Sequence, residues 1–252
     1  MFRHTSPVPA AVALVALCLL PGRAAAQETE RVERTLRLPE NGTLSLRNFS
    51  GDVRITATTG RDVVIKAVRR ATRDRLDHIT LEITESGSTI AIEANRRDEG
   101  WRDRENNVVE TEFDIQVPAA ARLDVQVFSS DVTVTGVTAR QQIRTFSGDI
   151  TLEGATGALV LRTFNADIRA DLTRAGNEPD IEAETFNGSI DVRLSKDARG
   201  RVEFSTFSGS LDSDVDLTLR SSRRRNTSAD LPAGTGDMLR FKTFSGSLRI
   251  RN

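Results

Sequence analysis

The eight residues TFSGDITL, Thr145–Leu152, decide the fold, because close variants of this string recur along the chain. Every copy has Phe, then Ser or Asn, a small residue, Asp or Ser, and an aliphatic residue. The seven copies are NFSGDVRI from Asn48, VFSSDVTV from Val127, TFSGDITL from Thr145, TFNADIRA from Thr163, TFNGSIDV from Thr185, TFSGSLDS from Thr206 and TFSGSLRI from Thr243. Successive Phe residues are 79, 18, 18, 22, 21 and 37 positions apart. A period near 20 residues is typical of stacked repeat architectures.

Each copy has the pattern of a strand, a tight corner and a second strand. Apolar and polar residues alternate before the corner, from Ile143 to Phe146, and again after it, from Asp149 to Leu152. Alternation with period two predicts strands, and Ser-Gly or Asn-Gly between them predicts a turn. No apolar period of 3.6 residues in the repeat region is long enough to predict a helix.

Two architectures could use such units. In an antiparallel meander the corner would be a two-residue hairpin turn with positive φ at both central residues, which suits Asn187-Gly188 but not Asn165-Ala166. A solenoid instead stacks equivalent residues about 4.8 Å apart, which explains why they are alike. We therefore predict an all-β, single-stranded β-solenoid, similar to a β-helix, of about 18–22-residue repeats with a less regular β N-terminal part. One column of this stack would hold Thr145, Thr163, Thr185, Thr206 and Thr243.

The chain divides into a signal peptide at 1–26, an irregular β N-terminal part at 27–118 and the solenoid repeats at 119–252. We expect 27–252 to form one continuous domain. Two runs dense in mixed charge, 69–78 and 96–107, are expected to be solvated loops, since charge runs favour solvent. The same is expected of 221–236, which contains three consecutive Arg residues.

The first residues have the pattern of a secretory signal peptide. Arg3 and His4 give a positive start, the apolar stretch from Val8 to Leu20 is too short to cross a bilayer, and Ala26 ends a run of small residues. We expect an extracytoplasmic protein, in the periplasm, on the cell surface or secreted, that does not span the membrane after cleavage.

The order of these segments resembles a known bacterial family. An irregular β segment that ends in Ile115-Gln116-Val117-Pro118 is followed by repeated Thr-Phe-Ser-Gly-Asp-Ile units. This order resembles the bacterial "putative adhesin" β-repeat family, a domain of unknown function, from about Arg31 to Asn252. It is more distantly similar to the head domain of auto-transporter adhesins. The resemblance implies a solenoid-like β fold and an extracytoplasmic place, and it implies no catalytic residues. Phe in every copy departs from the family pattern.

The residue inventory argues against most catalysis. The chain has two His, one Cys, one Trp and no Tyr, and signal cleavage would leave only His78 among His and Cys residues. Triads and zinc sites depend on such residues. We therefore expect no enzyme activity, no catalytic residues, no cofactor and no metal. The formal net charge of -1 also argues against a nucleic-acid partner.

An acidic column offers one alternative to this expectation. Asp52, Asp131, Asp149 and Asp167 are equivalent, and stacked carboxylates could bind calcium. The column changes to Ser in the later copies, such as Ser189, and Asp and Ser both accept backbone N–H bonds in turns. We therefore interpret these side chains as turn caps.

The Phe column has two readings. Strict alternation puts Phe146 on the outer face with Arg144 and puts Thr145 inside, which would give an exposed stripe suited to interaction. Alternatively the chain bends at each corner and packs Phe in the core or half-buried, and this interpretation is favoured by the preference of Phe for burial. The candidate interaction stripe is Phe128, Phe146, Phe164, Phe186, Phe207 and Phe244.

We expect a non-enzymatic exported envelope or surface protein, an adhesin or scaffold that presents a repetitive β surface. Its partner would be an envelope or surface ligand, either protein or polysaccharide, whose identity the residues do not give. The alternatives are a carbohydrate-active enzyme on a β-solenoid and an envelope-stress sensor that binds a regulatory partner. Clustered carboxylates in a groove would favour the enzyme.

We predict that the mature protein begins at Gln27 and carries no lipid, because small residues precede that position and Leu17 before Cys18 does not suit lipidation. The intact mass of exported protein tests this expectation. A mass that corresponds to an acylated Cys18 terminus would contradict it.

Overall fold

A computed structural model describes residues 27–101, 107–176, 178–223, 225–234 and 236–252. The predicted signal peptide lies outside these residues. The regular secondary structure of the described residues is almost entirely β-strand, so the predicted all-β class is confirmed, in the form of two large mixed sheets. No helix in the described ranges is long and apolar enough to cross a bilayer.

The elements follow in chain order. They are β1 (Gln27–Arg37), β2 (Thr43–Ser50), β3 (Val53–Thr58), β4 (Asp62–Thr72), α1 (Arg73–His78), β5 (Ile79–Ser86), β6 (Thr89–Arg97), a 3-10 turn (Glu99–Trp101), β7 (Glu110–Pro118), β8 (Arg122–Ser129), β9 (Val132–Thr135), β10 (Gln141–Arg144), β11 (Ile150–Glu153), β12 (Leu159–Arg162), β13 (Ile168–Leu172), β14 (Ile181–Asn187), β15 (Ile190–Leu194), β16 (Arg201–Ser208), β17 (Leu211–Ser213), β18 (Thr218–Arg223), β19 (Asn226–Asp230), β20 (Met238–Ser245) and β21 (Leu248–Arg251).

Each motif copy gives one strand to each sheet. The first sheet has the order β1-β4-β7-β3-β9-β11-β13-β15-β21-β17, and the second has the order β18-β19-β16-β20-β14-β12-β10-β8-β2-β6-β5. Equivalent strands of the copies pair in parallel and in register, with Ile143 opposite Leu161 and Ile150 opposite Ile168. The two strands of one copy lie in different sheets, so the meander alternative is wrong.

The copies do not stack in sequence order at the C-terminal end. Strands β20 and β21 of the last copy lie between β14 and β15 on one side and β16 and β17 on the other. Thr243 is therefore paired with both Thr185 and Thr206. The reason lies in the edge of β16 that faces away from β20, because this edge pairs antiparallel with β19. The copy that carries β16 thus ends the stack, and the last copy fills the position inside it.

The core lies between the two sheets and is built from the inward-facing positions of both. Ile143 and Ile150, which flank one corner, are fully buried, and the buried cluster runs along the whole stack. A second small cluster of Ala71, Ile79, Trp101 and Val109 lies in the N-terminal part. Period-two burial along nearly every repeat strand agrees with the alternation in the sequence.

The charged runs predicted as loops are partly regular structure. Arg69 is buried at the end of β4, where it donates to Glu30 and to the carbonyl oxygen of Ile79, and α1 follows directly. In the run 221–236, β18 and β19 form an antiparallel hairpin on β16. Ion pairing and edge pairing thus order segments whose composition alone indicates solvent exposure.

We predict that Ile150→Asp is far more destabilising than Thr151→Asp. Ile150 is fully buried, whereas its neighbour Thr151 faces outward and is half-buried. An unpaired buried carboxylate costs several kcal/mol, out of a typical stability of about 5–15 kcal/mol. Urea unfolding of both variants measures the difference. Equal losses would mean that the two faces of β11 are wrongly assigned.

Candidate interaction surface

The Phe residues of the motif form one continuous stack on the outside of the molecule, which we call the Phe ladder. Ring centroids of neighbours are 4.6–5.1 Å apart and the ring planes differ by 2–12°. The exposed fractions of these side chains run from 38% to 52%. In spatial order the ladder is Phe49, Phe128, Phe146, Phe164, Phe186, Phe244 and Phe207.

This exposure contradicts the core form of the favoured interpretation, in which the chain would turn Phe into the core, and leaves each ring about half covered. Strict strand alternation holds up to the corner, so Thr faces inward and Phe outward. The ladder also includes Phe49, which the candidate stripe leaves out although its own motif, NFSGDVRI, signals it.

The inward Thr side chains hold the corners together. Thr185 Oγ1 donates to the carbonyl oxygen of Ala166 at 2.9 Å, and Thr243 Oγ1 donates to that of Gly188 at 3.1 Å. Each hydroxyl thus satisfies a carbonyl oxygen of the neighbouring copy that lies close to the core. A Phe ring in either position would leave that oxygen without its partner, so in these two copies hydrogen bonding supports the alternation that sheet geometry sets. Val127 takes the same inward position without a hydroxyl, and Thr206 Oγ1 has no hydrogen-bond partner among the described residues.

The corners approach one another closely enough to require a small residue. A Cβ atom added to Gly188 would lie 1.9 Å from the carbonyl oxygen of Ala166 and 3.0 Å from Thr185 Oγ1. At Gly148 the corresponding distance to the carbonyl oxygen of Ser130 would be 2.0 Å. The small residue after Ser or Asn in the motif is therefore a packing requirement.

The acidic column links successive corners. Asp131 Oδ1 accepts from the N–H of Asp149 at 2.8 Å, Asp149 Oδ1 from that of Asp167 at 3.0 Å, and Asp167 Oδ1 from that of Ser189 at 2.8 Å. These bonds support the turn-capping interpretation, with the difference that each side chain caps the next copy instead of its own turn. Arg169 pairs with both Asp149 and Asp167, and its hydrogen bond to Asp149 raises the pKa of the guanidinium.

The described residues contain no group of three or more His, Cys, Asp and Glu side chains placed to hold a metal ion. His78 lies on α1 and its ring stacks on Trp101 at 4.6 Å. It therefore belongs to the N-terminal part of the fold and not to the ladder.

The acidic column lies along one flank of the Phe ladder. The other flank carries the residues two positions before each Phe. In spatial order they are Arg47, Gln126, Arg144, Arg162, Glu184, Lys242 and Ser205. Arg162 donates to Glu182 at 2.6 Å, which raises the pKa of Arg162, and Lys242 pairs with Glu184 at 2.5 Å. This flank is basic or neutral beside the first four rings and mixed beside the last three.

The ladder ends under a cation. The Arg225 guanidinium carbon lies 4.3 Å from the ring centroid of Phe207, over the face that no neighbouring ring covers. Ring faces within the ladder are covered by neighbouring rings, so solvent meets mainly their edges. Beside the last rings, a cleft of about 690 Å³ opens between Phe186, Phe244 and the turn that carries Arg225.

A family model described as Toastrack DUF4097 matches residues 27–251. The chain belongs to the Toastrack DUF4097 family. This result confirms the resemblance to the "putative adhesin" domain of unknown function. No curated protein matches this Toastrack chain.

Solved structures resemble the Toastrack chain in outline. A "putative cell adhesion protein" from Clostridium sporogenes is 11% identical, with 88% of this chain and 99% of that chain covered and a TM-score of 0.47. A "putative adhesin" from Bacteroides fragilis is 10% identical, with 88% and 97% covered and a TM-score of 0.37.

We predict that Gly188→Ala lowers the free energy of unfolding by at least about 2 kcal/mol, because the new methyl group meets a backbone oxygen that cannot move alone. Gly60→Ala is the matched control, since the nearest atom to its added Cβ would be the Asp62 nitrogen at 3.8 Å. Denaturant unfolding compares the two. Equal stability of both variants would show that the corners are not tightly packed.

Proposed function

We propose that this Toastrack chain is a non-enzymatic, exported binding module of the bacterial cell envelope, and that the Phe ladder is its interaction surface. The observation that carries the proposal is the continuous exposed row of seven Phe rings. Six steps of about 4.8 Å give it a length of roughly 29 Å. Contiguous apolar patches of this kind on soluble proteins mark interaction sites.

The regular stack is the scaffold of this surface. Parallel, in-register pairing of equivalent strands supports the interpretation of the repeats as a β-solenoid with one strand per sheet in each coil. Such a scaffold holds the ladder rings at fixed spacing, so a partner would meet a preorganised surface. The signal-peptide pattern at 1–26 supports export.

Two of the three carboxylates in one surface cleft are already ion-paired, which supports a binding role over catalysis. Glu182, Glu184 and Glu203 line a cleft of about 390 Å³ on the outer face of the second sheet. Glu182 and Glu184 there are bonded to Arg162 and Lys242, which suits a surface ion ladder. Apart from the outer face of Phe49 at one end, the Phe faces that a sugar would stack on are covered by neighbouring rings or by Arg225, so the ladder does not offer an extended flat platform.

The test is co-sedimentation of the purified exported protein with envelope fractions of the bacterium that produces it. We expect saturable binding that falls at least tenfold in the double variant Phe146→Ser/Phe164→Ser, because two central rings are lost. Leu219→Ser is the matched control, since Leu219 is an exposed apolar residue, 63% accessible, outside the ladder. Undiminished binding by the double variant would refute the assignment of the surface.

A further inference from the structure

We propose that the partner of the Phe ladder is a second copy of this chain, in a parallel two-fold dimer whose axis runs along the ladder. The inference rests on the proposed function, in which the ladder is an interaction surface. It adds the identity and the orientation of the partner.

The size of the ladder fits such a dimer. A Phe side chain has about 200 Å² of surface, so an exposure near 40% leaves roughly 80 Å² on each ring. Seven rings then offer roughly 560 Å² per copy, and two copies more than about 1,100 Å², which exceeds the roughly 1,000 Å² expected of a specific interface. The flanking side chains would add to this area.

The charges on the two flanks are complementary level by level. In three of the first four coils an Arg two residues before Phe is matched by an Asp three residues after it, and in the remaining coil Gln126 takes the place of Arg. The three pairs are Arg47 with Asp52, Arg144 with Asp149, and Arg162 with Asp167. One side of the ladder is therefore basic or neutral over these coils, and the other side carries the Asp column, in which Asp149 and Asp167 already pair with Arg169.

Symmetry decides which orientation uses this pattern. A rotation of 180° about an axis along the ladder places equal levels face to face and exchanges the flanks. Arg47 then meets the partner's Asp52, and Arg144 meets the partner's Asp149. A dimer with antiparallel ladders would instead place Arg162 against the partner's Arg162, and Asp167 against the partner's Asp167. These like-charge contacts disfavour association. The same orientation also places Arg144 opposite the partner's Glu184, a carboxylate that Lys242 already pairs.

Several of these charges are available to a partner. Arg47, Arg144, Asp52 and Asp131 form no ion pair with any other residue that the structure describes. Among the described residues, the Asp52 carboxylate accepts only one long hydrogen bond, 3.4 Å from the backbone nitrogen of Asp131. The first coil thus carries one cation and one anion on opposite flanks without an internal counter-ion.

The first experiment is sedimentation equilibrium of the exported protein at low salt, with charge-reversal variants of the first coil. Arg47→Asp and Asp52→Arg each replace two attractive contacts of the dimer by repulsive ones, so each alone should weaken dimerisation about tenfold. An equimolar mixture of the two variants restores both attractive contacts and should recover the wild-type affinity. Circular dichroism melts check that each variant is folded.

The second experiment fixes the orientation. The described residues contain no Cys, so Ser129→Cys and Ser245→Cys each introduce one thiol beside the ladder. In the parallel dimer Ser129→Cys is cross-linked to itself by a short bismaleimide. In an antiparallel dimer the second coil would face the sixth, so cross-links would form between the two variants in a mixture and the proposal would fail.

A chain that is monomeric at every concentration would overturn the inference. Phe-dependent sedimentation of that monomer with phosphatidylcholine vesicles would also overturn it, and would assign the ladder to a lipid surface. Either result is separable from a failure of the proposed function. A monomer that still binds envelope fractions through Phe146 and Phe164 would leave the interaction surface in place and remove only the second copy.

Discussion

At the corners that carry Gly, such as Gly148 and Gly188, the carbonyl oxygen of one coil lies where a side chain of the next coil would begin. The added Cβ of Gly188 would come within 1.9 Å of such an oxygen. This close approach lets Thr185 Oγ1 reach the same oxygen from inside and lets Asp167 cap the N–H of Ser189 from outside. Because three separate contacts meet at the same point, the coils can stack only in register.

The in-register stacking of the coils in turn determines the arrangement of the Phe ladder. Once Thr is fixed inside, the alternation of the strand leaves the following Phe no direction but outward. Stacked at the coil repeat, the rings cover each other's faces and are capped at one end by Arg225. This mutual covering limits the apolar area that each ring exposes and keeps the remaining edges aligned. The surface is thus a direct product of the packing at the corners.

Much of this arrangement could be predicted from the sequence, because the signals are local. Alternation around Phe146 gave the two strands of each coil, and the poor fit of Asn165-Ala166 to a hairpin turn favoured parallel stacking. The direction of Phe was misjudged where a general preference for burial was set above the alternation of the strand itself. The position of Thr243 between Thr185 and Thr206 could not be predicted, since it depends on which edge the β18–β19 hairpin covers. Likewise, the burial of Arg69 follows from its distant partner Glu30, which composition does not reveal.

The interior position of the last coil has a consequence for how the chain reaches its native state. A chain is synthesised from its N-terminus, yet β20 and β21 must enter between strands that are made earlier. Until they arrive, the edges of β14 and β15 are open, and β16 and β17 carry a motif similar enough to occupy them wrongly. Coil-by-coil growth would therefore lead to a kinetic trap, and native assembly has to wait for β20 and β21. The coil of β20 and β21 thus joins the coil of β16 and β17 to the rest of the stack.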